Sequence, residues 1–547
     1  MVKNNSKNSV IIMFTAVLIS VIFTPVNFDA LIIPKIAILF CMALYFLPQT
    51  LKTYHKISSN NKKFFFTTLL SLIFFQYIIM IILSDSVIEQ QIFGRTGRGL
   101  GLLTHVSLII LMLASATFID RINFNLLIAC LVFSCFISSV YSIMQKYNLD
   151  IFEWNSKTNG IIGTLGNPNH QGVFVAMALV PSAIYLLGKK FKFYLVPISI
   201  VFSLYMIYII QATQGYISAG VSIISFTLIY LWFKNKYIFV STFFLALVSF
   251  ILVVLGTLNR GLLSEYLYKI SVQSRGDFWR SAVRTANANP LFGGGFDSFG
   301  DNYLLYRDTI AANHPFAEMT DNAHNYLLEY AATGGYPLMT YHILIILFTA
   351  YSFILQMKNL AKFDLNLTTL FVAWLAFQAH TVVSPGNIVL MVWNSILSGA
   401  IIGLSLNKSQ TQISKPIKTA IAASKFSVVS YLLFTCGLVV VAPLYNSDRL
   451  LLKGLSSTNS ALVFEQVNKY PRSSVKFNLV GQTYIRSNLP TEALEVGRAA
   501  VRFNPNAASG WGLILVNPLA TVEEKKEAKA QILRLDPLNK EVYQFKF

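Results

Sequence analysis

What most constrains this chain is the recurrence of apolar runs about 17 to 25 residues long, each the length of a helix that spans a bilayer. They lie near 9–24, 30–48, 64–83, 101–118, 123–143, 171–188, 193–211, 215–233, 237–257, 337–356, 366–383, 387–405 and 426–444. Of 547 residues, 54% are hydrophobic and only 12% charged, far from the balance of an average soluble domain. The sequence therefore predicts an all-α polytopic membrane protein of roughly thirteen transmembrane helices.

The formal charge of +19 is topology information rather than a nucleic-acid patch, because the lysines fall in short loops between apolar runs. Lys52/Lys56/Lys62/Lys63, Lys189/Lys190/Lys192, Lys234/Lys236, Lys358/Lys362 and Lys408/Lys415/Lys418/Lys425 occupy alternate connections. Basic loops stay inside, so the N-terminus is predicted to be cytoplasmic. An odd number of spans then divides the chain into a transmembrane domain, 1–445, and an extracytoplasmic tail, 446–547. The longest loop, 258–336, shares the outer side with 84–100, 144–170 and 212–214. The first run follows Lys3 and Lys7 without a small-residue cleavage site, so it reads as a retained helix and not a signal peptide. Cys41, Cys130, Cys135 and Cys436 all lie within apolar runs, without metal-ligand spacing, and read as buried single thiols.

A site on such a protein should be assembled from the outer loops, and the histidines agree. His105, His170, His314, His324 and His380 fall at or near that face, His55 falls inside and His342 within a span. In the long loop, Arg275, Trp279, Arg280 and Arg284 recur at helical spacing before Asn289-Pro290 stops the helix and Gly293-Gly294-Gly295 makes a flexible turn. Guanidinium groups there suit phosphate oxygens; Trp and Arg at that level equally serve as interfacial anchors.

Further on, PFAEMTDNAHNYLLEYAATGGYP runs from Pro315 to Pro337. Thr320 or Asp321 is the expected N-cap, which puts His324 in the first helical turn. The helix dipole there favours neutral imidazole while Asp321 favours the cation. Asn325 and Glu329 share a face, and Gly334-Gly335 ends the helix before the next span begins at Pro337. His324 is thus either a structural histidine or a base at a membrane rim.

In the tail, FNLVGQTYIRSNLPTEALEVGRAAVRFNP reads as two amphipathic helices broken at Asn488-Leu489-Pro490. Phe477, Val480, Gly481, Tyr484, Ala493, Ala500 and Pro505 resemble the marker positions of a tetratricopeptide repeat. Helix pairs of that kind either present a protein-binding surface or simply cap the fold.

Together these segments resemble the O-antigen ligase and polymerase superfamily over about 90 to 405. The resemblance is carried by Gly94-Arg95 through Thr104, by Gly163-Thr164-Leu165-Gly166-Asn167-Pro168-Asn169, by Arg275-x-x-x-Trp279, by Asn289-Pro290-Leu291-Phe292-Gly293-Gly294-Gly295, and by His324-Asn325 through Pro337. It implies a metal-independent, cofactor-free glycosyltransferase of the bacterial inner membrane, acting on the outer side. Its partners would be a polyprenyl-diphosphate-linked glycan and an acceptor hydroxyl on lipid A core or a similar glycan, with membrane lipid around it. The resemblance makes His324 the catalytic base and Arg275 a contact to the donor diphosphate, with Asn325 beside them. Where many members carry Ser-Arg-Gly, this chain has Thr213-Gln214-Gly215. Gln214 offers hydrogen bonds without charge, so a second cation would come from Arg95, Arg98 or Arg280. Chain polymerases and protein O-oligosaccharyltransferases share the signature; a protein acceptor or partner would suit the tail. A transporter of the same span count would instead place polar residues at mid-membrane.

Overall fold

The structure is a computed structural model that describes residues 2–152, 160–187, 194–268, 270–314, 319–406, 420–457 and 459–546. Helices account for all of its regular structure, with no strand among the described residues. The first part contains α1 (Val2–Val21), α2 (Ile33–His55), α3 (Asn61–Leu83), α4 (Ile88–Phe93), α5 (Leu102–Phe118), α6 (Phe124–Lys146), α7 (Pro168–Leu187), α8 (Leu195–Ile210), α9 (Thr213–Lys234) and α10 (Lys236–Thr257). The outer loop folds into α11 (Ser264–Leu267), α12 (Ile270–Ala288), α13 (Phe299–Tyr306) and α14 (Thr309–Asn313). Then come α15 (Tyr326–Leu360), α16 (Leu365–Thr381), α17 (Ile388–Leu406) and α18 (Ala420–Leu455), and the tail forms α19 (Ser460–Val467), α20 (Ser474–Arg486), α21 (Pro490–Phe503), α22 (Ala508–Leu515), α23 (Val522–Leu535) and α24 (Lys540–Gln544).

Each expected apolar run falls on a helix. Nine of them, α2, α3, α6, α7, α9, α10, α15, α17 and α18, are long and apolar enough to cross a membrane among the described residues, while α1, α5 and α8 are shorter apolar helices. The two extremes of burial show how the bundle is built. Helix α10 buries nothing of its apolar window, whereas 94% of the α17 window is enclosed. An all-apolar helix with no protein cover is stable in hydrocarbon, and one wholly covered is the centre of the bundle. Gly399 and Gly403 let α17 lie directly on α5, since a Cβ at either would strike the carbonyl oxygens of Met112 and Ala116. The buried indoles find hydroxyl acceptors: Trp374 Nε1 donates to Ser398 Oγ at 2.9 Å and Trp393 Nε1 to Ser20 Oγ at 2.9 Å.

The loops sort into two sets that do not mix. At one end Arg121 pairs with Asp364 and donates to Gln356 Oε1 at 3.3 Å, and Asn60 Nδ2 donates to the Leu406 oxygen at 3.0 Å. These belong to the connections expected inside. The connections expected outside meet at the other end, where α12 to α14 and the tail also pack. The basic runs 189–192 and 408–418 lie outside the described residues. Of the four thiols, Cys436 is exposed on α18 and Cys130 half-buried, so only Cys41 and Cys135 meet the expectation of burial.

The glycines of the outer loop are packed rather than flexible. Helix α15 breaks at Gly335, whose φ of 74° and ψ of 172° suit glycine. Pro337 has no amide hydrogen to give Thr333, and the break frees neighbouring carbonyls as well. The loop segment at 290–295 takes them up, Gly294 N–H donating to the Ala332 oxygen at 2.9 Å and Gly295 N–H to the Thr333 oxygen at 2.8 Å, while Tyr336 N–H donates back to the Pro290 oxygen at 2.8 Å. Gln76 Nε2 closes the junction on the oxygens of Leu291 and Gly334, at 2.5 and 2.9 Å. The two glycine-rich segments form one hydrogen-bonded unit, which fixes α12 against the head of α15.

The tail lies against the outer end. Phe477, Val480, Tyr484, Ala493 and Ala500 bury between α20 and α21, as the amphipathic reading predicts. Arg307 makes a bidentate pair with Asp536 at 2.8 Å, Arg472 pairs with Glu89 at 2.9 Å, and buried Lys476 with Asp448 at 2.9 Å. Asp448 in turn accepts from the Asp29 amide at 2.8 Å, and Asp29 accepts from the Gly97 amide at 2.8 Å. The tail is thereby tied to two loops that reach the site.

Candidate active site

A cavity of about 510 Å³ opens among the outer connections. Its lining includes Asp29, Arg98, Asn167, His170, Asp321, His324, Ser384 and Asn387, from six separate loops and helix ends.

His324 is held by local chemistry. The helix begins at Tyr326 with Asn325 as its N-cap, whose side chain accepts from the Leu328 amide. This corrects the expected cap at Thr320 or Asp321: His324 precedes the helix. The polar side chains of 320–322 satisfy each other instead, with Thr320 Oγ1 donating to the Asn322 oxygen at 2.7 Å and Asn322 Nδ2 to Asp321 Oδ1 at 2.6 Å. His324 adopts a left-handed backbone, φ 48°, with its amide donating to Asn322 Oδ1 at 2.9 Å. A positive φ outside glycine costs about 1–2 kcal/mol, and such strain collects at functional sites.

From the other side α12 fixes the ring. Phe278 stacks on the imidazole with centroids 5.4 Å apart, and Trp279 Nε1 donates to the His324 oxygen at 3.4 Å. His324 Nδ1 is buried without a partner. Burial, then Arg275, with Arg98 adding to it, outweigh the opposing pull of Asp321 and push the His324 pKa down to about 4. The ring is neutral at physiological pH, the form that accepts a proton.

The arginines separate into two kinds. Arg98 is locked: its guanidinium meets Asp297 at 3.2 Å, pairs with Glu329, and donates to the Asp321 oxygen at 2.5 Å. Burial works against its charge, but Asp297 and Glu329 outweigh it and hold its pKa above the ordinary value. Arg95 is bound to Asp301 at 2.9 Å, and Arg280 to Asp277 and Asp308, each at 2.5 Å. Arg275 has no carboxylate partner among the described residues, its Nε is buried without an acceptor, and burial lowers its pKa. Of the four candidate cations, Arg275 alone carries charge not already answered by protein.

Gln214 stands behind Ser384, whose hydroxyl donates to Gln214 Oε1 at 2.6 Å and leaves the buried Nε2 without an acceptor. Asn325 is committed twice, as cap and through Nδ2 to the Val382 oxygen at 2.9 Å, so it braces the loop rather than facing ligand. Asp297 has no role legible in the sequence, and Glu329 is paired there only with Asn325; neither carries a motif of its own. The sequence pattern places His170 and His380 among the outer histidines without joining them, although their Nδ1 and Nε2 are 3.2 Å apart. Lys35, a buried lysine on α2 donating to the oxygens of Ile22 and Thr164 at 2.6 and 3.0 Å, carries no signal of its own within an apolar run. No group of His, Cys, Asp and Glu suited to a metal ion occurs among the described residues.

The helical bundle thus carries a polar cavity at one end, with a neutral imidazole in its wall and, close to that ring, a guanidinium without a carboxylate partner. The family model for O-Antigen ligase matches residues 198–343, which hold α12 and His324. Over those residues the chain is similar to the O-antigen ligase family. No curated protein matches it.

Proposed function

We propose that the protein transfers a glycan from a polyprenyl diphosphate carrier to an acceptor hydroxyl, as an O-antigen ligase, on the outer side of the bacterial inner membrane. The observation that carries this is the pair formed by His324, neutral and with an unpartnered ring nitrogen, and Arg275, charged and without a counter-ion. A glycosyl diphosphate already has a good leaving group. The enzyme has to hold it, balance charge on the departing diphosphate and take a proton from the incoming hydroxyl. Arg275 serves the second need and His324 the third.

Of the loops that charge alternation sends outward, 84–100, 144–170 and 258–336 line the cavity, which supports an extracytoplasmic site, a cytoplasmic N-terminus and an outer tail. The cavity's confinement to one end favours transfer over transport. A chain polymerase and a protein O-oligosaccharyltransferase use the same donor chemistry and differ in acceptor, and the repeat-like tail, if it binds protein, suits the latter. Deleting the gene tests the assignment: loss of glycan from lipid A core marks a ligase, shortened chains a polymerase and unmodified glycoprotein a protein transferase. Unchanged glycans of all three kinds contradict the proposal.

A further inference from the structure

Two buried histidines outside the His324 and Arg275 pair remain to be explained. His170 lies in the first turn of α7, lines the cavity, and has Nδ1 3.2 Å from Nε2 of His380 on α16. The rings are nearly perpendicular, 84°, with centroids 5.2 Å apart. His380 is 1% exposed and its Nδ1 has no partner. No carboxylate pairs with either ring among the described residues, and Arg275 stands within electrostatic reach of His380. A pair so placed is neutral, with one proton on each ring.

The unpartnered nitrogen decides where those protons sit. If His170 Nδ1–H donates to His380, then His380 Nδ1 carries a hydrogen buried without an acceptor. If His380 Nε2–H donates to His170, the same atom carries only a lone pair. Buried N–H groups without acceptors are the rarer and costlier defect. The second arrangement therefore holds, and it puts the remaining proton of His170 on Nε2. That atom has no partner among the described residues and its ring lines the cavity. His380 thus sets His170 as a fixed, neutral hydrogen-bond donor.

Two donors on neighbouring elements also lack acceptors: Gln214 is bonded through Oε1 to the cavity-lining Ser384, and Arg275 stands within electrostatic reach of His324 and His380. Gln214 Nε2 and Arg275 Nε are both buried and unpartnered, and α7 directs the positive end of its dipole to the same side. A cluster of donors with one positive charge fits an oxyanion rather than a sugar hydroxyl, which also needs acceptors.

We propose that His170, positioned by His380, donates a hydrogen bond from Nε2 to an anionic oxygen of the donor's diphosphate, so that neutral donors at His170 and Gln214 complement the single charge of Arg275. This rests on the function proposed above. No proton leaves His170 in the reaction; its ring stays neutral and the bond tightens as charge grows on the leaving diphosphate. The cluster also explains how a chain with glutamine at position 214 binds a diphosphate.

The test uses the full-length protein in lipid vesicles, with undecaprenyl diphosphate as the product inhibitor of transfer. Removing one hydrogen bond to a charged oxygen should weaken inhibition about tenfold in His170→Ala. His170→Gln, which keeps an N–H donor, should recover part of it. His380→Phe should behave like His170→Ala, whereas His380→Gln, which still donates to His170, should lie near wild type. If His170→Ala is not recovered from membranes, His170→Phe takes its place. Wild-type inhibition in a His170 variant whose transfer still requires His324 overturns this inference alone. Absence of any transfer by the wild-type protein overturns the proposed function together with it.

Discussion

The ring of Phe278 lies over the imidazole of His324, centroids 5.4 Å apart and planes 25° from parallel. This contact joins the helix that carries Arg275 to the loop that carries His324, and it makes the orientation of His324 depend on α12. Phe278→Ala should leave the protein inserted but reduce transfer, mainly through kcat, because the ring loses its wall while Arg275 remains. Steady-state kinetics on vesicle-embedded protein distinguish this from a change confined to KM.

The acid limb of the pH profile should report His324. A base must be neutral to act, so kcat/KM holds above its pKa and falls as pH drops through it, at about 4. Arg275 disfavours the imidazolium, so Arg275→Gln should move the limb upward as well as lower the rate. Asp321 favours it, so Asp321→Asn should move the limb downward. A limb that stays in place in both variants would show that another group titrates.

Arg98 and Arg275 should fail in different ways. Arg98 is 8% exposed between Asp297 and Glu329, and removing one partner of such a buried set costs about 3–5 kcal/mol. Arg98→Met should lower thermal stability or prevent recovery from membranes. Arg275→Met leaves no carboxylate stranded, so it should melt like wild type while losing donor use.

Gly335 holds the head of α15 against the loop. A Cβ there would lie 2.5 Å from the Leu291 carbonyl carbon, and the conformation alone costs a side chain about 1–3 kcal/mol. Gly335→Ala should destabilise the protein measurably in a detergent melt and depress transfer by shifting α12. Gly220, where a Cβ meets nothing within 4 Å, is the control.

Lys476 should tie the tail to the site. Replacing it by Met leaves Asp448 buried beside Asp29, whose pKa burial and Asp448 already raise to about 6. Lys476→Met should increase proteolysis at the start of the tail and lower transfer, whereas Arg498→Ala, which breaks the more exposed pair with Glu524, should do neither.

The apolar runs made the helices legible because a bilayer enforces both length and backbone pairing, and the same regularity with alternating lysines separated the two sets of loops. His324 and Arg275 stood out because polar residues of that kind are rare beside such runs. The start of α15 was misplaced because Thr320, Asp321 and Asn325 are all good caps, and only tertiary bonding to Arg98 and Val382 selects Asn325. Which arginines are free was barely legible. Arg95, Arg98 and Arg280 look like Arg275 in sequence; only Asp277, three residues before Arg280 on one helix, carries a pairing pattern, while Asp301, Asp297, Glu329 and Asp308 carry none. The His170 and His380 contact spans 210 residues, beyond any local signal.

The most direct measurement of the central claim is transfer from a glycosylated undecaprenyl diphosphate by the purified protein in vesicles, wild type against His324→Ala. The expected result is transfer by the wild type and at least a roughly hundredfold loss in the variant, with thermal stability retained. Equal rates in the two proteins would contradict it.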